Sequence, residues 1–160
     1  MIKKITLIAA GQFKKAETGN MKEMDHESPS GYYIRTDDIL LEESADEICA
    51  RKGILFGIKY IPVCLEDEEI VQWECRIEHP QMINPKTGQS FCNSTEEKFH
   101  YGNRENFDFF EFEEDWEIQP GTWKFVLVEN ERVLYEHEFQ ITTDAEQDHG
   151  SNVVNSVRSW

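Results

Sequence analysis

The 160 residues are enough for one ordinary domain with a single core, and their formal net charge of −16, from 16 basic and 32 acidic residues, excludes nucleic acid and anionic membranes as natural partners, because phosphates are repelled. Apolar residues make up 39% of the chain, but 10 Phe, 5 Tyr and 4 Trp are among them, and a few large rings fill a core that many small residues would otherwise have to fill. No stretch approaches the ~20 apolar residues of a membrane-spanning helix.

In chain order, "MIKKITLIAAGQF" has the two lysines and apolar run of a secretory leader, but its run Ile5 to Ala10 is short for an h-region of about 7–15 residues. It reads as a first strand ending at a turn or bulge at Gly11. Residues 14–31, "KKAETGNMKEMDHESPSG", are polar and rich in turn formers, and predict a long loop. Only "DILLEESADEICARKG" has helical character, and it is short. "GILFGIKYIPV" then alternates Ile54, Phe56, Ile58 and Tyr60 against Leu55, Gly57, Lys59 and Ile61, and "VQWECRIEH" sets Val71, Trp73, Cys75 and Ile77 against polar residues, which is the period of a half-wet strand. The "LEDEE" between these runs predicts a hairpin tip.

The segment "HPQMINPKTGQSF" predicts an exposed loop carrying apolar side chains among polar ones. His79, Met82, Ile83, Asn84 and Phe91 are accordingly the candidate binding residues. In "FDFFEFEEDWEIQPG", residues 107–121, Phe107, Phe109 and Glu111 face one way and Asp108, Phe110 and Phe112 the other. The Phe109–Phe110 doublet requires either a bulge or cover on both faces of the strand. Burying a ring contributes roughly 1.5–3 kcal/mol, whereas a bare carboxylate cluster repels itself, so the rings set the conformation and the acids take the remaining surface. If a cation were held here, Glu111, Glu113, Glu114 and Asp115 would hold it. "GTWKFVLVEN" and "VLYEHEFQI" form a final hairpin around the tight turn "ENER", with Val133, Tyr135, His137, Phe139 and Ile141 on one face.

The chain contains no zinc-finger or H-E-x-x-H spacing, no nucleophile elbow and no phosphate loop. "DAEQDHGSNVVN" starts like a calcium loop but has His149 and Asn155 where glycine and glutamate are required. Cys49, Cys64, Cys75 and Cys92 lack C-x-x-C spacing and suit a reducing, cytoplasmic setting. In the tail, Val153, Val157 and Trp160 would form a short apolar stripe if helical, able to dock on the domain or on a partner, but eight residues are too few to be helical alone and the first expectation is disorder in solution.

The expectation is therefore an all-β, antiparallel sandwich of about 7–9 strands over residues 1–143, followed by a flexible tail at 144–160. It would act as a non-enzymatic cytoplasmic binding or accessory module with a protein partner, no cofactor, no nucleic acid and no membrane. Two alternatives are a divalent-metal-dependent (Ca or Zn) binding protein or hydrolase, and an acidic nucleic-acid mimic that binds basic proteins. The order of Gly53, Phe56 and Gly57, then His79, Pro80, Pro85 and Gly88, then Pro120, Gly121, Trp123 and Phe139 resembles a bacterial family known as domain of unknown function 3859. The likeness runs over residues 33–143, and departs from the family at Cys49, where proline is usual. It implies an immunoglobulin-like sandwich and no catalytic residues.

Overall fold

The computed structural model describes residues 1–16, 21–24, 32–35 and 38–144, the second and third of these as backbone. Period-two alternation becomes strand nearly everywhere. The strands are β1 (Ile2–Lys15), β2 (Met21–Met24), β3 (Tyr32–Arg35), β4 (Ile39–Ser44), β5 (Glu47–Cys49), β6 (Leu55–Cys64), β7 (Ile70–Ile83), β8 (Ser90–Tyr101), β9 (Asn106–Glu111), β10 (Gly121–Glu129) and β11 (Arg132–Thr142). A four-stranded sheet has the order β4-β1-β6-β9, a five-stranded sheet the order β5-β11-β10-β7-β8, and β2 and β3 form a separate pair. All pairings are antiparallel except that of β5 with β11.

The sheets face each other across a core of rings. Phe56 on β6 is its hub, with ring centroids 5.3–5.7 Å from Phe112, Trp123, Phe125 and Phe139. Most of these contacts are edge-on, as the ring quadrupole favours. Ile58, Tyr60 and Phe110 from one layer and Trp73, Cys75 and Ile77 from the other complete the interior. A second cluster of Phe13, Ile39 and Leu55, with Ala9, Phe107 and Phe109 against it, lies on the opposite face of the four-stranded sheet. The aromatic doublet is thereby explained: β9 pairs with β6 in unbroken register and both of its faces are covered.

Several expectations are corrected. The segment with helical character forms β4 and β5, because Ile39 and Ile48 are buried anchors and the edges of β1 and β11 accept these strands. The loop expected over 14–31 starts on β1 and contains β2. The "LEDEE" turn does not close a hairpin: β6 bonds β1 and β9 while β7 bonds β10 and β8, so residues 65–69 cross from one sheet to the other. A register shift between Leu127 and Val128 turns Val133 outward, and only Phe139 and Ile141 of the expected β11 face are fully buried. The "ENER" turn does close β10 onto β11, with Asn130 at φ 47° and Glu131 at φ 65° forming the two-residue loop that matches strand twist.

Candidate functional site

The candidate loop is mostly not a loop. β7 runs through it to Ile83, β8 starts at Ser90, and Met82 pairs with Phe91. A register shift between Glu78 and Met82 keeps both His79 and Met82 pointing inward, so both are buried. His79 stacks on Trp123 at 4.7 Å, and its Nδ1–H donates to the Pro80 carbonyl at 2.8 Å, while Nε2 has no partner. Burial pulls its pKa below the ordinary value, although the Pro80 carbonyl pushes the other way. Asn84 accepts from the Gly88 amide and closes the tip. Of the five residues, Ile83 alone is exposed, and Phe91 is half-buried against the core.

The carboxylates named for a cation do not converge. Glu111 pairs with Lys15, and Asp115 opens a short 3-10 turn, η1 (Asp115–Glu117). No group of three His, Cys, Asp or Glu side chains able to hold a metal occurs among the described residues. His100 shares an inward register with Glu96, whereas Glu97 faces out, so the three form no site. His137 bridges Tyr135 and Asp46, at 2.8 and 2.7 Å. Val153, Val157 and Trp160 lie outside the described residues.

The fold assembles a polar constellation that was not foreseen, between β6 and β9 of one sheet and β7 and β8 of the other. Trp73 Nε1–H donates to Tyr60 Oη at 2.9 Å, and Tyr60 O–H donates to Asp108 Oδ2 at 2.6 Å. Lys98 Nζ lies 3.1 Å from Asp108 Oδ1, an ion pair angled away from a proper hydrogen bond, and donates to the Phe107 carbonyl at 3.1 Å. Burial works against the Lys98 ammonium, but Asp108 and Glu96 outweigh it and hold its pKa above the ordinary lysine value. Burial, reinforced by Asp108, pushes the Tyr60 hydroxyl and the Cys75 thiol far up, so neither ionises near neutral pH. Tyr60 is fully buried and Asp108 is 3% exposed, so these groups are closed off from solvent between the layers. The constellation bolts the two layers together at the β8/β9 side.

Outside it, β8 is the outermost strand of its sheet and nine of its twelve residues are exposed. The β7–β8 register places Thr95, Glu97, Phe99 and Tyr101 on the outer face, beside Arg76, Glu74, Gln72 and Ile70. Phe99 is 67% and Ile70 53% exposed. Next to them an open groove of about 530 Å³ lies among Met1, Ile70, Gln72, Asn130 and Arg132.

None of the curated proteins matches the chain. The fold is similar to the crystal structure of an immunoglobulin-like protein from Pseudomonas aeruginosa, with a TM-score of 0.56 and 18% identity over 88% of this chain and 98% of that one. This likeness establishes the sandwich as immunoglobulin-like. The family model described as a domain of unknown function matches residues 7–141, nearly the whole sandwich, and the chain therefore belongs to the DUF3859 family.

Proposed function

We propose that the chain is a non-enzymatic protein-binding module of a reducing, cytoplasmic setting, and that it works through the β8 edge of its five-stranded sheet. The observation that carries this reading is a division of labour. The titratable groups Tyr60, Cys75, Lys98 and Asp108 are sealed between the layers, while the twelve-residue outer strand β8, paired among the described residues with β7 alone, carries an exposed Phe99. Long open edges invite pairing, and proteins ordinarily shorten, cover or charge them. An inward-pointing lysine is one such guard, but here Lys98 is already neutralised by Asp108 and leaves the edge receptive. Four free cysteines, two of them buried, suit the reducing setting.

The test compares the wild-type chain with Phe99→Lys as immobilised bait. The variant melts at the wild-type temperature, since Phe99 is exposed, but loses a protein the wild type retains. Turnover in a hydrolase screen, abolished by a single substitution that leaves the melting temperature unchanged, would overturn the reading.

A further inference from the structure

We infer that the partner of the β8 edge is a basic, extended segment of another protein, which adds to the five-stranded sheet as its next strand. The inference rests on the edge-binding reading above and specifies what binds there.

Backbone is the first argument. The other outer strands are short: β5 has three residues, β4 and β9 six each. β8 has twelve, and among the described residues it pairs with β7 alone. Strand addition takes affinity from main-chain hydrogen bonds along such an edge and specificity from alternate side chains.

Charge is the second. Glu97 stands directly opposite Glu74 on the outer face, a like-charge pair that sheets disfavour. Glu74 is answered by Arg76 at 2.7 Å, whereas among the described residues Glu97 has only the Gln72 amide at 3.5 Å. The crossing turn with Glu66, Asp67 and Glu68 abuts the far end of β8, because the Gly102 amide donates to the Glu69 carbonyl. A strand laid along β8 would place a side chain about 5 Å from Glu97. Lysine or arginine there relieves the repulsion. A second copy of this chain is disfavoured, since it brings another edge carrying Glu97 and a further charge of −16.

The flanking positions complete the pattern. An apolar residue fits opposite Phe99, and a β-branched one opposite Thr95. The recognised segment therefore alternates apolar, basic and β-branched side chains at every second position.

The experiment uses the full chain and the peptide Ac-TFTKTVT-amide, with its Lys→Glu analogue as control, followed by amide hydrogen exchange. The lysine peptide protects β8 amides between residues 92 and 100 and its binding weakens with salt. Glu97→Lys, an exposed change that leaves the fold intact, lowers its affinity about tenfold and raises that of the glutamate analogue correspondingly. Equal affinity for both peptides, with β8 protected, overturns the basic partner while leaving the edge in place. Protection of β8 that grows with protein concentration without peptide assigns the edge to a second copy and overturns the inference. Protection by neither peptide overturns strand addition. None of these outcomes is turnover, so failure here is separable from failure of the non-enzymatic reading.

Discussion

Among the described residues three carboxylates enter the interior, each held by a different set of donors. Asp108 takes the Tyr60 hydroxyl and the Lys98 ammonium. Glu129 accepts the Ile2 amide with both oxygens and the Arg132 guanidinium with one. Glu117, 2% exposed, has only main chain: its Oε1 accepts the amides of Glu113 and Glu114 at 2.9 and 2.8 Å. Burial pushes the Glu117 pKa up to about 7, although those amides pull it down. The folded state therefore holds this proton more tightly than the unfolded chain, where the carboxyl keeps its ordinary pKa of 4.5. The stability Glu117 contributes is fully present below pH 4.5 and is lost as pH rises through about 7. Glu117→Gln keeps an oxygen for both amides and cannot ionise. The wild type, compared with this variant by urea unfolding, should lose about 3 kcal/mol between pH 4.5 and 8. A constant difference across that range would mean the carboxylate is ionised in the fold without penalty. None of this was legible from the "EEDWE" stretch, where Glu117 is one acid among four. What singles it out is the 3-10 turn that folds it back onto its own backbone. Alternation put Asp108 on one face with Phe110 and Phe112, but the expectation that acids take the surface fails there: Asp108 is buried, and its tolerance depends on Lys98, which comes from the other sheet.

At the scale of elements, the four-stranded sheet depends on two glycines that face each other. Gly11 on β1 pairs with Gly57 on β6, and Gly57 in turn pairs with Phe109 on β9. A Cβ at Gly57 would lie 2.1 Å from the Asp108 carbonyl oxygen and 2.7 Å from Phe109 Cα, both of them backbone. Alanine ordinarily suits a strand better than glycine by ~0.5–1 kcal/mol. Here the sign reverses, because β9 must move and carries Asp108 and Phe110 with it. Gly57→Ala should cost about 1–3 kcal/mol, a fall of roughly 2–4 °C in Tm for each kcal/mol. An unchanged or raised Tm would show that β9 shifts freely. Individual strands were readable because period two survives in single segments such as "VQWECRIEH". Their partners were not. "LEDEE" has the composition of a hairpin tip whether its strands bond each other or separate into two layers, and only the layers decide. In the same way β4 and β5 are too short for periodicity to outweigh their helical composition, and the open edges of β1 and β11 settle them as strands.

The whole molecule carries its charge unevenly. Among the described residues seven of the chain's sixteen lysines and arginines are engaged: Lys15 with Glu111, Arg51 with Asp144, Lys59 with Asp38 and Glu105, Arg76 with Glu74, Lys98 with Asp108, Lys124 with Glu136 and Glu138, and Arg132 with Glu129. With twice as many acids as bases, the remaining carboxylates repel one another across the surface. Added salt acts on both sets. It weakens the exposed pairs, which are worth little, typically under ~1 kcal/mol each. It also shortens the Debye length from ~30 Å at 0.01 M to ~8 Å at 0.15 M, and so removes the long-range repulsion that no local pair cancels. The buried Lys98–Asp108 pair is screened least. Repulsion therefore dominates the response, and Tm should rise by a few degrees when sodium chloride goes from about 0.01 to 0.15 M. A Tm that falls would mean that the surface pairs outweigh net charge. Replacing sodium by calcium at equal ionic strength sharpens the measurement: a non-specific response gives nearly the same Tm for both ions. A calcium Tm several degrees higher and saturating with concentration would mark a bound ion, and would put the metal-dependent alternative ahead of the metal-free reading.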